Sequence, residues 1–338
     1  MFDAQGNGLS LTLPVGDPVL QRWVVFGGQY GPLGGFVGGP GPDGAGGRWA
    51  VFGDGAVDQS AAGLHEVHGY VWQHWRDLGS ATGFLGHPNT DETATADGVG
   101  RFNGFGGGAI YWSPATGAHE LHGQLWFAWA GRGAEQGQLG YPTTDGMAVG
   151  DGRGITQRFQ GGSAWATAAT GVHVLLPPYE IGWAGAGGAT GPLGYPVTDA
   201  WVASGIGITS FEHGGVYLTP TGVHALSGPI YDAYVNTGSV TGRLGAPTSG
   251  ITTDRQLRVA RFAHGYIAWD PATHKVTVIS GPDQRPRGPL TVVVTTAPGP
   301  ATPPPTTAPP TAPPTAAPEP TSTTPTTSTT RPTATFGR

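Results

Sequence analysis

The chain has 338 residues, of which only 11% are charged, with 61 glycines, no cysteine and a net charge of −6. That balance offers no basic footprint for nucleic acid, and the lack of cysteine excludes disulfides and thiolate metal sites. No apolar run is long enough for a transmembrane helix.

The first residues, MFDAQGNGLSLTLPVGDP, lack the basic and then apolar pattern of a secretory signal. Residues 1–14 are therefore expected to be a lead-in. Any export would use another route, or the chain would be part of a longer one. From residue 15 one pattern recurs five times: an aliphatic residue or Tyr, then Trp or Tyr four residues on, then Gly, Gly and Leu-Gly at fixed spacing. The copies are anchored by Leu33, Leu85, Leu139, Leu193 and Leu244, spaced by 52, 54, 54 and 51 residues. A period of that size indicates a repeat architecture. The expected units are about 15–67, 68–121, 122–175, 176–226 and 227–280.

The second copy shows the order of elements. Val71, Trp75 and Leu78 share one face of a short helix, and Gly79 stands where a left-handed cap closes it. GFLGHPNTD then marks a tight turn. DGVGRF and AIYW are expected to form a strand pair across a glycine-rich turn. SPATG closes the unit, and AHEL forms a last short strand. A unit of this size cannot bury both its faces alone, so neighbours must cover it. Five such units could stack as an open solenoid. The end copies are not conspicuously polar, which favours closure into a pseudo-five-fold, propeller-like toroid, mainly β with short helices. From 281 to 338 the sequence is rich in Pro, Thr and Ala and is expected to be a disordered linker or tail. Such a segment suits O-glycosylation and an extended spacer.

The Leu-Gly-x-Pro anchors, with Pro88, Pro142, Pro196 and Pro247, together with RF…GG…YW…SPATGAH, resemble the LGFP repeat. The resemblance covers about residues 15–280. It implies an exported protein of mycolic-acid-containing actinobacteria and a β-rich, pseudo-five-fold assembly. The implied function is a non-catalytic module that holds on to cell-wall polysaccharide, beside mycolyltransferase or peptidoglycan-hydrolase domains. The first copy departs from the pattern, reading Leu33-Gly34-Gly35-Phe36 without the proline. In the fifth, Val276 replaces the histidine of the Gly-x-His element.

Four sets of residues are candidates for function or for architecture. The hairpin aromatics Tyr111, Trp112, Trp165, Tyr217 and Trp269 could stack on sugar rings, or could fill the core as alternate strand positions do. Trp23, Trp75, Trp129, Trp183 and Tyr234 are assigned to the core on the helix faces. His65, His119, His173 and His224 are expected to hydrogen-bond the backbone of their own units rather than ring a metal ion. Arg48, Arg101 and Arg158 are expected to bridge to Asp91, Asp145 and Asp199 of the following unit and so set the stacking register. Acidic residues are mostly repeated turn residues, and neither Gly-x-Ser-x-Gly nor His-Glu-x-x-His occurs. No catalysis, metal or cofactor is expected, and the chain is expected to be monomeric. The first reading is thus a wall-polysaccharide anchor. The second is a protein-interaction scaffold for a wall enzyme, and the last a glycan hydrolase.

Overall fold

The computed structural model describes residues 16–281. The expected lead-in, 1–14, and the Pro/Thr/Ala-rich segment from 282 onward lie outside the described residues. Among these residues the chain forms five short helices and five antiparallel four-stranded sheets, one after another. The helices are α1 (Pro18–Val25), α2 (Gly69–Asp77), α3 (Gly123–Ala130), α4 (Pro177–Gly185) and α5 (Gly228–Asn236). Each is followed by a single 3-10 turn and then by a sheet whose strands run in chain order as a meander. No described helix is long and apolar enough to cross a membrane.

The motif glycines explain the bend between helix and sheet. Gly79 ends α2 at φ 95°, a conformation costly for any residue with a Cβ. Gly83, four residues later, has an ordinary φ, but a Cβ there would collide with the carbonyl oxygen of Leu78. The first glycine is needed for its angle and the second for space. The Leu-Gly segment then lies along the turn of its own hairpin. Its leucine carbonyl accepts a backbone hydrogen bond from the residue just past the second strand: Asp54, Gly107, Gly161, His213 and His264 in the five units. Pro88, Pro142, Pro196 and Pro247 continue that contact as isolated bridges to Phe105, Phe159, Phe211 and Phe262. The first unit lacks the proline. It has a seven-residue first strand, Phe36–Pro42, where the other units have two or three residues.

Each sheet has one strand more than the sequence pattern suggests. The hairpin and the Gly-x-His strand are joined by a short edge strand, such as Thr93–Ala94, that pairs with the start of the second strand. Two residues without apolar alternation leave no periodic trace in the sequence.

The core sits between units. The buried cluster around α2 takes Ala56 and Val67 from the first sheet and Phe105 and Ile110 from the second. Those around α3 and α5 are built the same way, with Leu121, Phe159 and Ala164 in one and Tyr217, Leu226 and Ile267 in the other. Each helix from α2 to α5 is thus covered on both sides, by the sheet before it and the sheet after it. In the fifth sheet, strand alternation places Val259, Tyr266 and Ala268 on the face turned away from α5, where they form a small buried cluster of their own.

Candidate functional site: the seams between units

A seam is the junction of one sheet with the following helix and turn. The anchors Leu33, Leu85, Leu139, Leu193 and Leu244 are all fully buried there. Trp75, Trp129, Trp183 and Tyr234 are buried as well, while Trp23, on the first helix, is partly covered. All five aromatics share a polar contact with the glycine eleven residues on. The indoles of Trp23, Trp75, Trp129 and Trp183 donate to the carbonyls of Gly34, Gly86, Gly140 and Gly194 at 2.8–3.1 Å. The Tyr234 hydroxyl donates to Gly245 at 2.8 Å. The repeated sequence spacing from aromatic to Leu-Gly is the spacing of this bond.

Three of the proposed sugar-stacking residues pack into the seams, Tyr217 buried and Tyr111 and Trp165 partly buried. Tyr111 packs edge-on against Trp129 with ring centroids 4.7 Å apart, Trp165 against Trp183 at 4.6 Å, and Tyr217 against Tyr234 at 5.6 Å. Each belongs to one unit and touches the helix of the next, so their faces are spent on the seam. Trp269 is partly buried against the core around α5. Trp112 differs, because it faces its own helix and stacks nearly parallel, at 8°, on Tyr70. Tyr70 is 61% exposed, so this pair presents an aromatic face to solvent.

The expected Arg–Asp bridges are not the ones that form. Arg48 pairs with Asp17 of its own unit, Arg101 with Glu92 at 3.6 Å, and Arg158 with Glu180 at 3.4 Å. The assumed equivalence fails: Arg158 immediately precedes the bridged phenylalanine of its second strand, whereas Arg48 and Arg101 lie four residues before theirs. An offset of three residues puts the side chains on opposite faces of a strand.

The three aspartates do tie units together, through other partners. Asp91 pairs with Arg22 of α1, Asp145 with His74 of α2 at 3.0 Å, and Asp199 with Arg132, just past α3, at 2.7 Å. Each also meets the histidine of the preceding unit's Gly-x-His element: His65 at 3.3 Å, His119 at 3.2 Å and His173 at 3.4 Å. The backbone N–H of Glu66, Glu120 or Val174 completes the set. The other ring nitrogen of each histidine reaches the carbonyl of its own turn, Ala62, Thr116 or Thr170. In the fourth unit, whose successor has Gly250 in place of the aspartate, His224 bonds the Thr221 hydroxyl instead. Three of the histidines thus bond the backbone of their own turn and also cross the seam, whereas His224 bonds a side-chain hydroxyl.

These contacts set the charges. The hydrogen bond it donates to Asp145 raises the His119 imidazole above its usual value. Although burial opposes its charge, the bonds from His119 and His74 hold the Asp145 carboxyl well below the ordinary carboxylate value. Burial pushes the nearby Glu66 carboxyl up to about 7. Next to these groups lies a polar clamp the sequence reading did not find. The amide of buried Asn103 donates to the carbonyls of Glu66 and Thr90, both at 3.0 Å. Gln157 does the same to Glu120 and Thr144. The available signal is an amide side chain two residues before the bridged phenylalanine in two of the second strands.

At the first three seams a second polar tie joins the Leu-Gly turn to the loop before the preceding sheet's second strand. Tyr141 donates to Asp97 and Tyr195 to Asp151, both at 2.7 Å. At the first seam the residue in the tyrosine position is His87, and its partners are Asp43 and Asp58. Asp58 stands where the later third strands carry Tyr111, Trp165 and Tyr217. The aromatic facing α2 is instead Trp49 of the second strand, 6.2 Å from Trp75. Burial pushes the Asp58 carboxyl up to about 6, against the pull of His87. At the third seam a cleft of about 350 Å³ opens between Arg132, Gln138, Leu139, Val174, Leu176 and Asp199.

The sequence profile of the LGFP repeat matches residues 85–137, 139–191 and 193–242, so each match begins on an anchor leucine. The chain carries tandem LGFP repeats. No curated protein sequence matches it. Among solved structures, it is similar to the extracellular domain of the one component system BT4673 from B. thetaiotaomicron, at 12% identity and a TM-score of 0.16. That match covers 72% of this chain and 31% of that one. The AfRom2 CNH domain gives 7% identity and a TM-score of 0.15, covering 74% of this chain and 71% of that one. Likeness at this level carries no argument about fold or function.

Proposed function

We propose that this array of LGFP repeats is a non-catalytic module of the cell envelope, outside the membrane, that anchors to wall polysaccharide of the arabinogalactan or peptidoglycan class. The observation that carries the reading is the duplication of one seam along the chain. Asp91, Asp145 and Asp199 stand in the same polar setting at successive junctions and remain about a third exposed or more. Carboxylate, imidazole and backbone groups at that spacing offer a long hydroxyl-rich polymer several weak contacts of one kind. Linked weak sites gain strength by effective concentration. The Tyr70–Trp112 pair adds a flat surface for the C–H face of a sugar. Closure of the five units into a ring belongs to the same proposal.

The test is sedimentation of the purified protein with isolated walls from a mycolic-acid-containing actinobacterium, before and after chemical removal of arabinogalactan. Pelleting is expected to fall on removal, and Tyr70→Ala is expected to weaken it roughly three- to tenfold, the loss of about one stacking contact. Pelleting that survives removal of both arabinogalactan and peptidoglycan would overturn the polysaccharide reading. A second reading, docking of a partner wall enzyme, is favoured by Phe127 of α3 and Ile181 of α4. These equivalent helix positions are both exposed apolar residues. It gains if Ile181→Ser abolishes wall retention while Tyr70→Ala does not.

A further inference from the structure

The first seam differs from the later ones in its chemistry. Asp43, Asp58 and His87 bring three ligand atoms within 4.8 Å of one another. His87 Nδ1 lies 3.0 Å from one Asp58 oxygen and 3.5 Å from Asp43 Oδ2. The aspartate side chains are 0% and 1% exposed, and the histidine 20%. Asp43 Oδ1 is occupied by the backbone N–H groups of Ala45 and Gly47. The other oxygens of the pair, Asp43 Oδ2 and Asp58 Oδ2, are buried without a hydrogen-bond partner. Two orphaned carboxylate oxygens sealed from water carry a large desolvation cost that a single imidazole does not offset.

We propose that Asp43, Asp58 and His87 bind one divalent transition-metal ion of the Zn²⁺ class, which locks the first unit to the second.

The donor set and its support fit such an ion. Two carboxylates and one imidazole suit zinc-like cations, whereas calcium and magnesium sites are built from oxygen alone. Tetrahedral bonds of about 2.0 Å put neighbouring ligand atoms about 3.3 Å apart, and the two His87 contacts bracket that value. His87 Nε2 lies 3.3 Å from the Ala45 carbonyl, an acceptor that needs the ring proton on Nε2. With Nε2 so protonated, loss of the proton that Nδ1 shares with Asp58 turns its lone pair toward the carboxylates, the outer-sphere arrangement that orients ligand histidines. A Cβ at Gly47 would collide with Asp43 Oδ2 and His87 Cε1, so glycine leaves the room this cluster occupies. Three elements from two units supply the ligands: the loop before Arg48, the third strand of the first sheet and the Leu-Gly-His turn of the second unit.

The site is specific to this seam. The second and third seams place Tyr141 and Tyr195 against Asp97 and Asp151 with neutral hydroxyl donors, and fill the Asp58 position with an aromatic.

The experiment is equilibrium dialysis of the full chain against Zn²⁺ with metal analysis, alongside His87→Tyr and Asp58→Asn. Wild type is expected to retain one zinc per chain, and both variants are expected to lose at least tenfold in affinity. His87→Tyr restores the residue of the second and third seams, so folding is expected to hold, as checked by circular dichroism. In wild type, Zn²⁺ at one equivalent is expected to shift the imidazole resonances of His87 alone among the 11 histidines. Co²⁺ is expected to give visible d–d bands that His87→Tyr removes. The proposal is overturned if wild type retains no stoichiometric zinc, if His87→Tyr binds as tightly as wild type, or if other histidines respond and His87 does not. The first and third of these results come from wild type alone and stand even if a variant misfolds.

Discussion

Asp145→Asn tests whether the aspartate ties bear load across a seam. The asparagine can still accept from the Glu120 N–H, so the change removes the charge and little else. What is lost is the charged character of two histidine contacts, at 3.0 Å to His74 and 3.2 Å to His119. Hydrogen bonds to charged groups contribute about 1.5–3 kcal/mol, and the partial exposure of Asp145 reduces this to about 1–2 kcal/mol. The pH dependence follows from the two shifts. His119 is raised, so its contribution is complete below its unfolded value near 6.5 and disappears as pH rises through the higher folded value. Asp145 is lowered, so its contribution is present above 3.8 and lost only as pH falls through the lower folded value. The substitution is therefore expected to cost more at pH 5.5 than at pH 9. Urea unfolding at the two pH values measures the difference, provided the slope with denaturant is unchanged. A proton NMR titration should show the His119 value falling towards 6.5. Equal destabilisation at both pH values, or an unmoved His119 titration, would refute the assignment of the tie.

Three further outcomes follow from the same seams. Tyr234→Phe removes only the hydroxyl that satisfies the Gly245 carbonyl in a fully buried setting, and is expected to cost about 1–2 kcal/mol in urea unfolding. Asn103→Leu strands the carbonyls of Glu66 and Thr90, and is expected to cost about 2–4 kcal/mol, with hydrogen exchange accelerated first in the strand Gly63–His68. Glu66 is raised by burial from 4.5 to about 7, so native stability should fall as pH rises across that interval. Glu66→Gln is expected to flatten the fall, gaining about 1–3 kcal/mol on wild type at pH 8 and little at pH 5. A pH profile of melting temperature that is identical for the two proteins would exclude this assignment.

The repeat, its helix and its Leu-Gly turn were legible because each rests on local spacing. The i, i+4 pair shares one helix face, the two glycines answer to one angle and one clash, and the eleven-residue interval is a single hydrogen bond. The aromatics of the third strand were ambiguous for a definite reason. Alternation says that Tyr111 and Trp112 face opposite ways, but not which face meets a neighbour. Tyr111 meets Trp129 of the next unit, whereas Trp112 meets its own helix and Tyr70. The ionic partners failed for a related reason. The repeat pattern predicts that Asp91, Asp145 and Asp199 share a setting, and they do. Their cation, however, changes: it is Arg22 and His74, each just before the helix aromatic, at the first two seams, but Arg132, three residues after Trp129, at the third. Long flexible side chains reach a fixed carboxylate from different starting points.

A seam in this chain is thus conserved in what must be satisfied and free in who satisfies it. Fixed volume is supplied by the anchor leucine and the helix aromatic, whose positions the backbone dictates. The facing aromatic can come from the third strand, as Tyr111, or from the second, as Trp49. The amide clamp can be Asn103 or Gln157, because both reach two carbonyls across the same gap. Where the third strand gives up its aromatic, as at Asp58, a buried polar cluster takes its place, which the scaffold tolerates because Trp49 already covers α2. That separation of load-bearing and replaceable positions is how one repeat can carry four different junctions, and why a site peculiar to one junction, like that at His87, arises where the junction departs from its neighbours.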